Sequence, residues 1–188
     1  LLDEILVARL AVLGDGTRIC GTGLGHGADI LLVVRPAALL DTSRMREVTR
    51  SALVAHTTAE IYALIVDVER YPEFLPWCTA ARLEERSEDS MQASLTIRRG
   101  PLRTQFTTRN RLERDRSVSM SLVSGPFRSL EGLWTLSPLG EDGCSVELRM
   151  RFEFSAAVPG ALFEPLFEET AASLVDAFVE RAREVYGR

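Results

Sequence analysis

The most regular stretch of the chain alternates. Cys144, Val146, Leu148, Met150, Phe152 and Phe154 take one set of positions, and Ser145, Glu147, Arg149, Arg151 and Glu153 take the other. A period of two sends successive side chains to opposite faces, so the pattern predicts a strand over 144–154 with one dry and one wet face. Five more strand-like stretches precede it, at about 79–86, 90–99, 102–114, 117–124 and 127–137. Gly100-Pro101, Gly125-Pro126 and Gly140-Glu141-Asp142-Gly143 are the clearest turn signals between them. Upstream, Glu47 to Ala55 reads as a first strand, and Thr57-Thr58-Ala59-Glu60 matches a capping box that opens a short helix over 59–68. The two prolines of Tyr71-Pro72-Glu73-Phe74-Leu75-Pro76-Trp77-Cys78 limit that segment to a short helical turn or loop whose aromatics point inward.

After Pro159-Gly160 the period becomes helical. Phe163, Phe167, Ala171, Leu174, Phe178, Ala182 and Val185 recur at steps of four and three, which predicts one helix to Tyr186, roughly 35 to 40 Å long. Short links between strands imply an antiparallel meander, and a single long apolar helix must cover its concave face. The predicted fold class is therefore α+β: a curved antiparallel sheet of about seven strands wrapped around a long C-terminal helix, with short helices after the first strand.

A sheet curled around a helix leaves room for a cavity. The face Leu102, Thr104, Phe106, Thr108, Asn110, Leu112 mixes apolar groups with small hydrogen-bonding ones, a mixture suited to a ligand wall. The same residues also fit a second reading, in which the threonines and Asn110 bond to neighbouring backbone or face solvent. The inward faces nominate Phe74, Leu75, Trp77, Phe106, Thr108, Trp134, Met150, Phe163, Phe167, Leu174 and Phe178 as cavity-lining residues.

Residues 1–44 lack this order. Six glycines fall between Gly14 and Gly27, which works against stable secondary structure. Gly23 to Ala28 fits GxGxxA, but no clear strand leads into it and Pro36 cuts short any following helix, so a dinucleotide loop is not supported. The first methionine is Met45, where the patterned sequence begins. The expectation is an N-terminal extension over 1–44, arising from a mis-called start, and one folded domain over 45–188.

All 22 basic residues of the 188 are arginine, which removes Schiff-base lysine chemistry and the P-loop lysine together. The formal charge of −5 argues against coating nucleic acid by bulk electrostatics. Locally the balance reverses. Arg98, Arg99, Arg103, Arg109, Arg111, Arg114 and Arg116 lie within nineteen residues against only Glu113 and Asp115. Alternation puts Arg103, Arg109 and Arg111 opposite Phe106, on a solvated outer face that could equally meet an anionic partner, either rRNA or lipid head groups. Arg98, Arg99, Arg103, Arg109 and Arg111 form the candidate anionic-partner patch.

Catalytic and metal chemistry finds little material. The two histidines, His26 and His56, cannot form a cluster, and His56 reads as a solvated strand-end residue. Cys20, Cys78 and Cys144 are widely spaced and odd in number, which points to a reducing, cytosolic setting. The longest apolar stretch, Ile30 to Leu40, is broken by Arg35 and Pro36 and is too short to span a bilayer. No metal, no required cofactor and no enzymatic activity are expected.

Taken in order, Tyr71-Pro72-x-Phe74-Leu75-Pro76-x-Cys78, Phe106-Thr107-Thr108-Arg109-Asn110, Gly125-Pro126-Phe127-x-x-Leu130-x-Gly132-x-Trp134, Phe152-x-Phe154 and Ala177-Phe178-x-x-Arg181-Ala182 resemble the coenzyme Q-binding START-like family. The resemblance covers about Met45 to Arg188. It implies a helix-grip fold and binding of ubiquinone or another isoprenoid quinone or lipid, supporting respiration by chaperoning the quinone. The bacterial branch of the family includes a ribosome association toxin, which implies a competing role: binding the large ribosomal subunit and blocking subunit association. A cyclase-type enzyme is a weaker implication. The family supplies no catalytic residues to carry over, and a cytoplasmic location, with peripheral contact to an anionic membrane, would suit these partners.

Overall fold

The computed structural model describes Arg9–Val12, Arg18–Gly21 and residues 45–187. The chain divides into two units, 1–43 and 44–188. In the first, β1 (Arg9–Val12) pairs antiparallel with β2 (Arg18–Gly21), a hairpin that glycine content alone did not predict. The GxGxxA segment and His26 lie outside the described residues.

The second unit begins with β3 (Arg46–Val54), α1 (Thr58–Val66), a 3-10 turn (Val68–Arg70) and α2 (Tyr71–Phe74). Six strands follow: β4 (Cys78–Arg86), β5 (Ser90–Arg99), β6 (Leu102–Glu113), β7 (Ser117–Ser124), β8 (Phe127–Leu139) and β9 (Gly143–Phe154). All seven strands join one antiparallel sheet in the order β3-β9-β8-β7-β6-β5-β4. The last strand thus closes back on the first, leaving β3 and β4 as edges. Helix α1 starts as its sequence requires: the Thr57 hydroxyl accepts from the Glu60 N–H at 3.2 Å, and Glu60 Oε2 accepts from the Thr57 N–H at 2.8 Å.

Two glycines are needed where they stand. Gly125 has φ +145°, and a Cβ there would sit 2.6 Å from the Phe106 Cβ, so only glycine lets the β7–β8 turn lie against β6. Gly132 faces the concave side of β8, where its own register partner Met120 fills the space a side chain would need.

The helical period from Gly160 to Tyr186 predicts one unbroken helix, and here the structure differs. It contains α3 (Gly160–Ala172) and α4 (Leu174–Tyr186), separated at Ser173. The cause is local hydrogen bonding. Thr170 Oγ1 donates to the Leu166 carbonyl at 2.7 Å and Ser173 Oγ to the Thr170 carbonyl at 2.8 Å, and such back-bonding bends helices. Trp77 Nε1 donates to Ser173 Oγ at 3.2 Å, fixing the bend against the aromatic loop.

The core lies between the concave sheet face and these helices. Phe127, Phe152, Phe154 and Phe167 form an aromatic nest with ring centroids 4.6 to 6.4 Å apart, and Phe152 and Leu148 are fully buried. Arg46 Nε meets Glu164 Oε2 at 3.3 Å, pinning the start of α3 to β3. No helix of the described residues is long and apolar enough to cross a membrane.

Candidate functional site

Alternation along β6 sends Leu102, Phe106, Thr108, Asn110 and Leu112 inward, each buried, and Arg103, Arg109 and Arg111 outward, each exposed. One strand therefore serves both candidate sites, a cavity on the concave side and a basic surface on the convex side.

The cavity encloses about 60 Å³ between the sheet and the bent helix. Small-molecule pockets usually measure about 300–1,000 Å³, so entry of an isoprenoid-sized ligand requires the lining to move. Of the nominated residues, Trp77, Phe106, Thr108, Trp134, Met150, Phe167, Leu174 and Phe178 line it. Phe74, Leu75 and Phe163 do not. Phe74 packs outside, on Tyr71 and Phe178 and beneath the Arg181 guanidinium at 5.4 Å. Leu75 is wholly buried in the core but outside the lining, and Phe163, on the first turn of α3, is also absent from it. Helical and strand periods fix which face a residue occupies, but not its depth along the element.

Several lining residues were outside the nominated set, Tyr71, Met120, Leu130, Gly132 and Thr170 among them, together with Asn110, which the sequence placed on the β6 wall face. Asn110 is the most informative. It is 4% exposed, and its Oδ1 has no hydrogen-bond partner, which costs about 1–3 kcal/mol in an otherwise apolar wall. In register it stands between Met91 and Met120, and the row continues through Gly132 to Met150. Met91 is buried outside the lining, and within the lining the flexible thioethers of Met120 and Met150 and the missing side chain at Gly132 make this row compliant. The structure removes the solvent-facing reading of this strand face, since Thr108 and Asn110 are both buried toward the interior.

Tyr71 is the one titratable residue in the lining. Burial pushes its hydroxyl well above the usual phenol range, and that hydroxyl donates to the Ile65 carbonyl at 2.6 Å. Burial likewise pushes the Cys78 thiol up to about 11, and raises Cys144 with Glu60 adding to the effect. His56 corrects the sequence reading, because it is 2% exposed rather than solvated. Its ring lies beneath Tyr186, and its Nδ1 has no hydrogen-bond partner and sits 3.9 Å from Glu60 Oε2. Among the described residues, no group of three or more His, Cys, Asp or Glu is placed to hold a metal ion.

The convex face divides the five nominated arginines. Arg98 and Arg103 are register partners across β5 and β6, and Arg109 and Arg111 follow along β6. Arg99 belongs elsewhere: it points to the helical side and donates to Glu169 of α3 at 3.1 Å. Arg111 has no ion-pair partner among the described residues, while the Arg109 guanidinium donates to the neutral Gln92 at 3.2 Å and the Arg109 carbonyl accepts from the Ser121 hydroxyl. An open groove of about 640 Å³ runs beside them, and Arg149 and Arg151 of β9 stand on its far side. The alternation of β9 put both on its wet face; that they would oppose Arg109 and Arg111 depends on strand order and register, which the sequence does not display.

A seven-stranded antiparallel sheet gripping a bent helix around a small apolar cavity defines a START-like, helix-grip protein. A family model described as polyketide cyclase / dehydrase and lipid transport matches residues 54–179. The chain belongs to that family, in the bacterial branch that holds the ribosome association toxins. The ribosome association toxin RatA of Pseudomonas aeruginosa is 43% identical over 140 residues, 74% of this chain and 97% of that protein. The mitochondrial coenzyme Q-binding protein COQ10 homolog B of Xenopus laevis is more distant, 26% identical over 156 residues, 81% of this chain and 64% of that protein. A START superfamily protein from Mycobacterium smegmatis shares the fold, with a TM-score of 0.64 at 22% identity over 74% of this chain and 98% of its own.

Proposed function

We propose that this chain is a ribosome-associating protein that binds the large subunit through the convex face of its sheet and thereby opposes subunit joining. The observation that carries this reading is the uncompensated charge of β6. Arg98 and Arg103 stand opposite each other, and among the described residues neither they nor Arg111 has an ion-pair partner, in a chain whose net charge is −5. Like charges directly opposite in a sheet are destabilising, so their presence calls for an anion that binds there. The 43% identity to a ribosome association toxin over nearly its whole length supports the same partner. Co-sedimentation with purified large subunits at low salt is the test. Wild-type protein is expected in the pellet, and R109E/R111E in the supernatant; wild-type protein that stays in the supernatant contradicts the reading.

A second role, holding a quinone or similar isoprenoid lipid, is supported by the compliant methionine row and by the unpaired Asn110 oxygen. A quinol hydroxyl would satisfy that acceptor. Organic extraction of the purified protein followed by mass spectrometry tests it: a stoichiometric quinone is expected, and a protein that carries none and takes up none when it is added contradicts it. Cyclase chemistry finds less support, because the lining holds no carboxylate, histidine or cysteine to act as acid or base.

A further inference from the structure

The groove on the convex face is built more specifically than a basic surface requires. Two cross-sheet rows define it. One runs Arg111, Ser119, Leu133, Arg149 and the other Arg109, Ser121, Glu131, Arg151, each stepping from β6 through β7 and β8 to β9. Three strand spacings separate the arginine walls, about 14 Å. Between them the floor is low, because at these two register positions β7 presents Ser119 and Ser121 outward, with the exposed Val123 further along the strand.

The walls are unequal. Arg149 is held by Glu147 at 3.5 Å and Glu47 at 4.0 Å, and Arg151 by Glu47 at 3.8 Å. On the β6 side, among the described residues, Arg111 has no ion-pair partner and the Arg109 guanidinium makes one neutral bond, although Asp89 also lines the groove there. A phosphate therefore gains most on the β6 wall, where a guanidinium fork can meet it without breaking an existing ion pair. The floor calls for different chemistry. Glu131 repels phosphate but accepts well from an exocyclic amino group, as carboxylates do from cytosine N4; among the described residues the Ser119 hydroxyl makes no hydrogen bond, whereas the Ser121 hydroxyl donates to the Arg109 carbonyl at 3.1 Å.

We infer that this trough binds a single-stranded segment of a folded RNA, its phosphates along Arg109 and Arg111 and its base edges over Ser119, Ser121 and Glu131. The inference deepens the ribosome reading and rests on it. A bilayer is the poorer fit, since head groups lie in a plane and cannot reach a recessed floor that also carries a carboxylate.

The test is fluorescence anisotropy with a labelled single-stranded RNA of about 12 nucleotides, within the span of known single-strand sites. Phosphatidylglycerol vesicles serve as the competing surface. S119E/S121E should weaken RNA binding at least tenfold, and S119R/S121R should tighten it. R111A should lower the salt slope by about one, and E131Q should reduce preference for a cytosine-containing over an all-uridine oligomer. Thermal unfolding of each variant checks that it is folded, and the R111A slope stands by itself if the serine variants are not. RNA binding unchanged in folded S119E/S121E, or wild-type binding to vesicles and not to RNA, overturns the assignment. Co-sedimentation separates the two ideas. Wild-type protein that ignores ribosomal particles yet binds RNA through the trough removes the ribosome reading alone, whereas S119E/S121E that sediments like wild type removes the trough alone.

Discussion

Arg98 faces Arg103 directly across the β5–β6 pair, two cations in register at one end of the convex face with no ion-pair partner for either among the described residues. Replacing Arg98 with threonine removes the repulsion while keeping a good strand former. R98T should therefore gain about 0.2–1 kcal/mol in stability and bind ribosomal particles more weakly. Urea unfolding and co-sedimentation on the same preparation check both signs. A variant that loses stability shows that the pair is not in conflict.

Asn110 presents the same conflict inside the fold. Its buried, unpaired Oδ1 lowers stability, so N110L should raise the urea midpoint by the equivalent of about 1 kcal/mol without changing the m-value. Added quinol should bind N110L less well than wild type. A lower midpoint would indicate that the amide is satisfied in solution.

Ser173 joins the helix bend to the aromatic loop. S173A removes both the back-bond to Thr170 and the acceptor for Trp77 Nε1, leaving a buried indole N–H unpaired at a cost of about 1–3 kcal/mol. Chemical denaturation measures the loss, and the indole N–H resonance of Trp77 should shift. No change in either sets aside the role given to this bond.

Alkaline pH should unfold the domain before ordinary surface titration does. Cys78 and Tyr71 hold their protons more tightly when folded than when unfolded, because burial disfavours thiolate and phenolate. Their contribution is complete below the unfolded values and declines as pH rises, for Cys78 between 9.0 and about 11. The Tm should fall across that window, and C78S should fall less steeply. A flat profile contradicts the assigned direction.

Much of this was legible in the chain because local rules and the global fold agree. The capping box of Thr57 and Glu60, the glycine-proline turns and the strict alternation of β6 and β9 each specify an element without needing a neighbour. Four features depend on neighbours and were not legible. The bend at Ser173 requires Trp77 from a distant loop; the depth of Phe74, Leu75 and Phe163 requires knowing where the cavity stops. His56 is buried because α4 returns over it with Tyr186. The convex groove is the same case: Arg109 and Arg151 are 42 positions apart, and only sheet order places them across one trough.

The most direct test of the central claim is a sucrose-gradient profile of ribosomes mixed with purified protein at near-physiological magnesium. The account predicts protein in the large-subunit fractions and a 70S peak that falls as protein is added, with R109E/R111E leaving that peak intact. Protein confined to the top of the gradient, with an unchanged 70S peak, contradicts it.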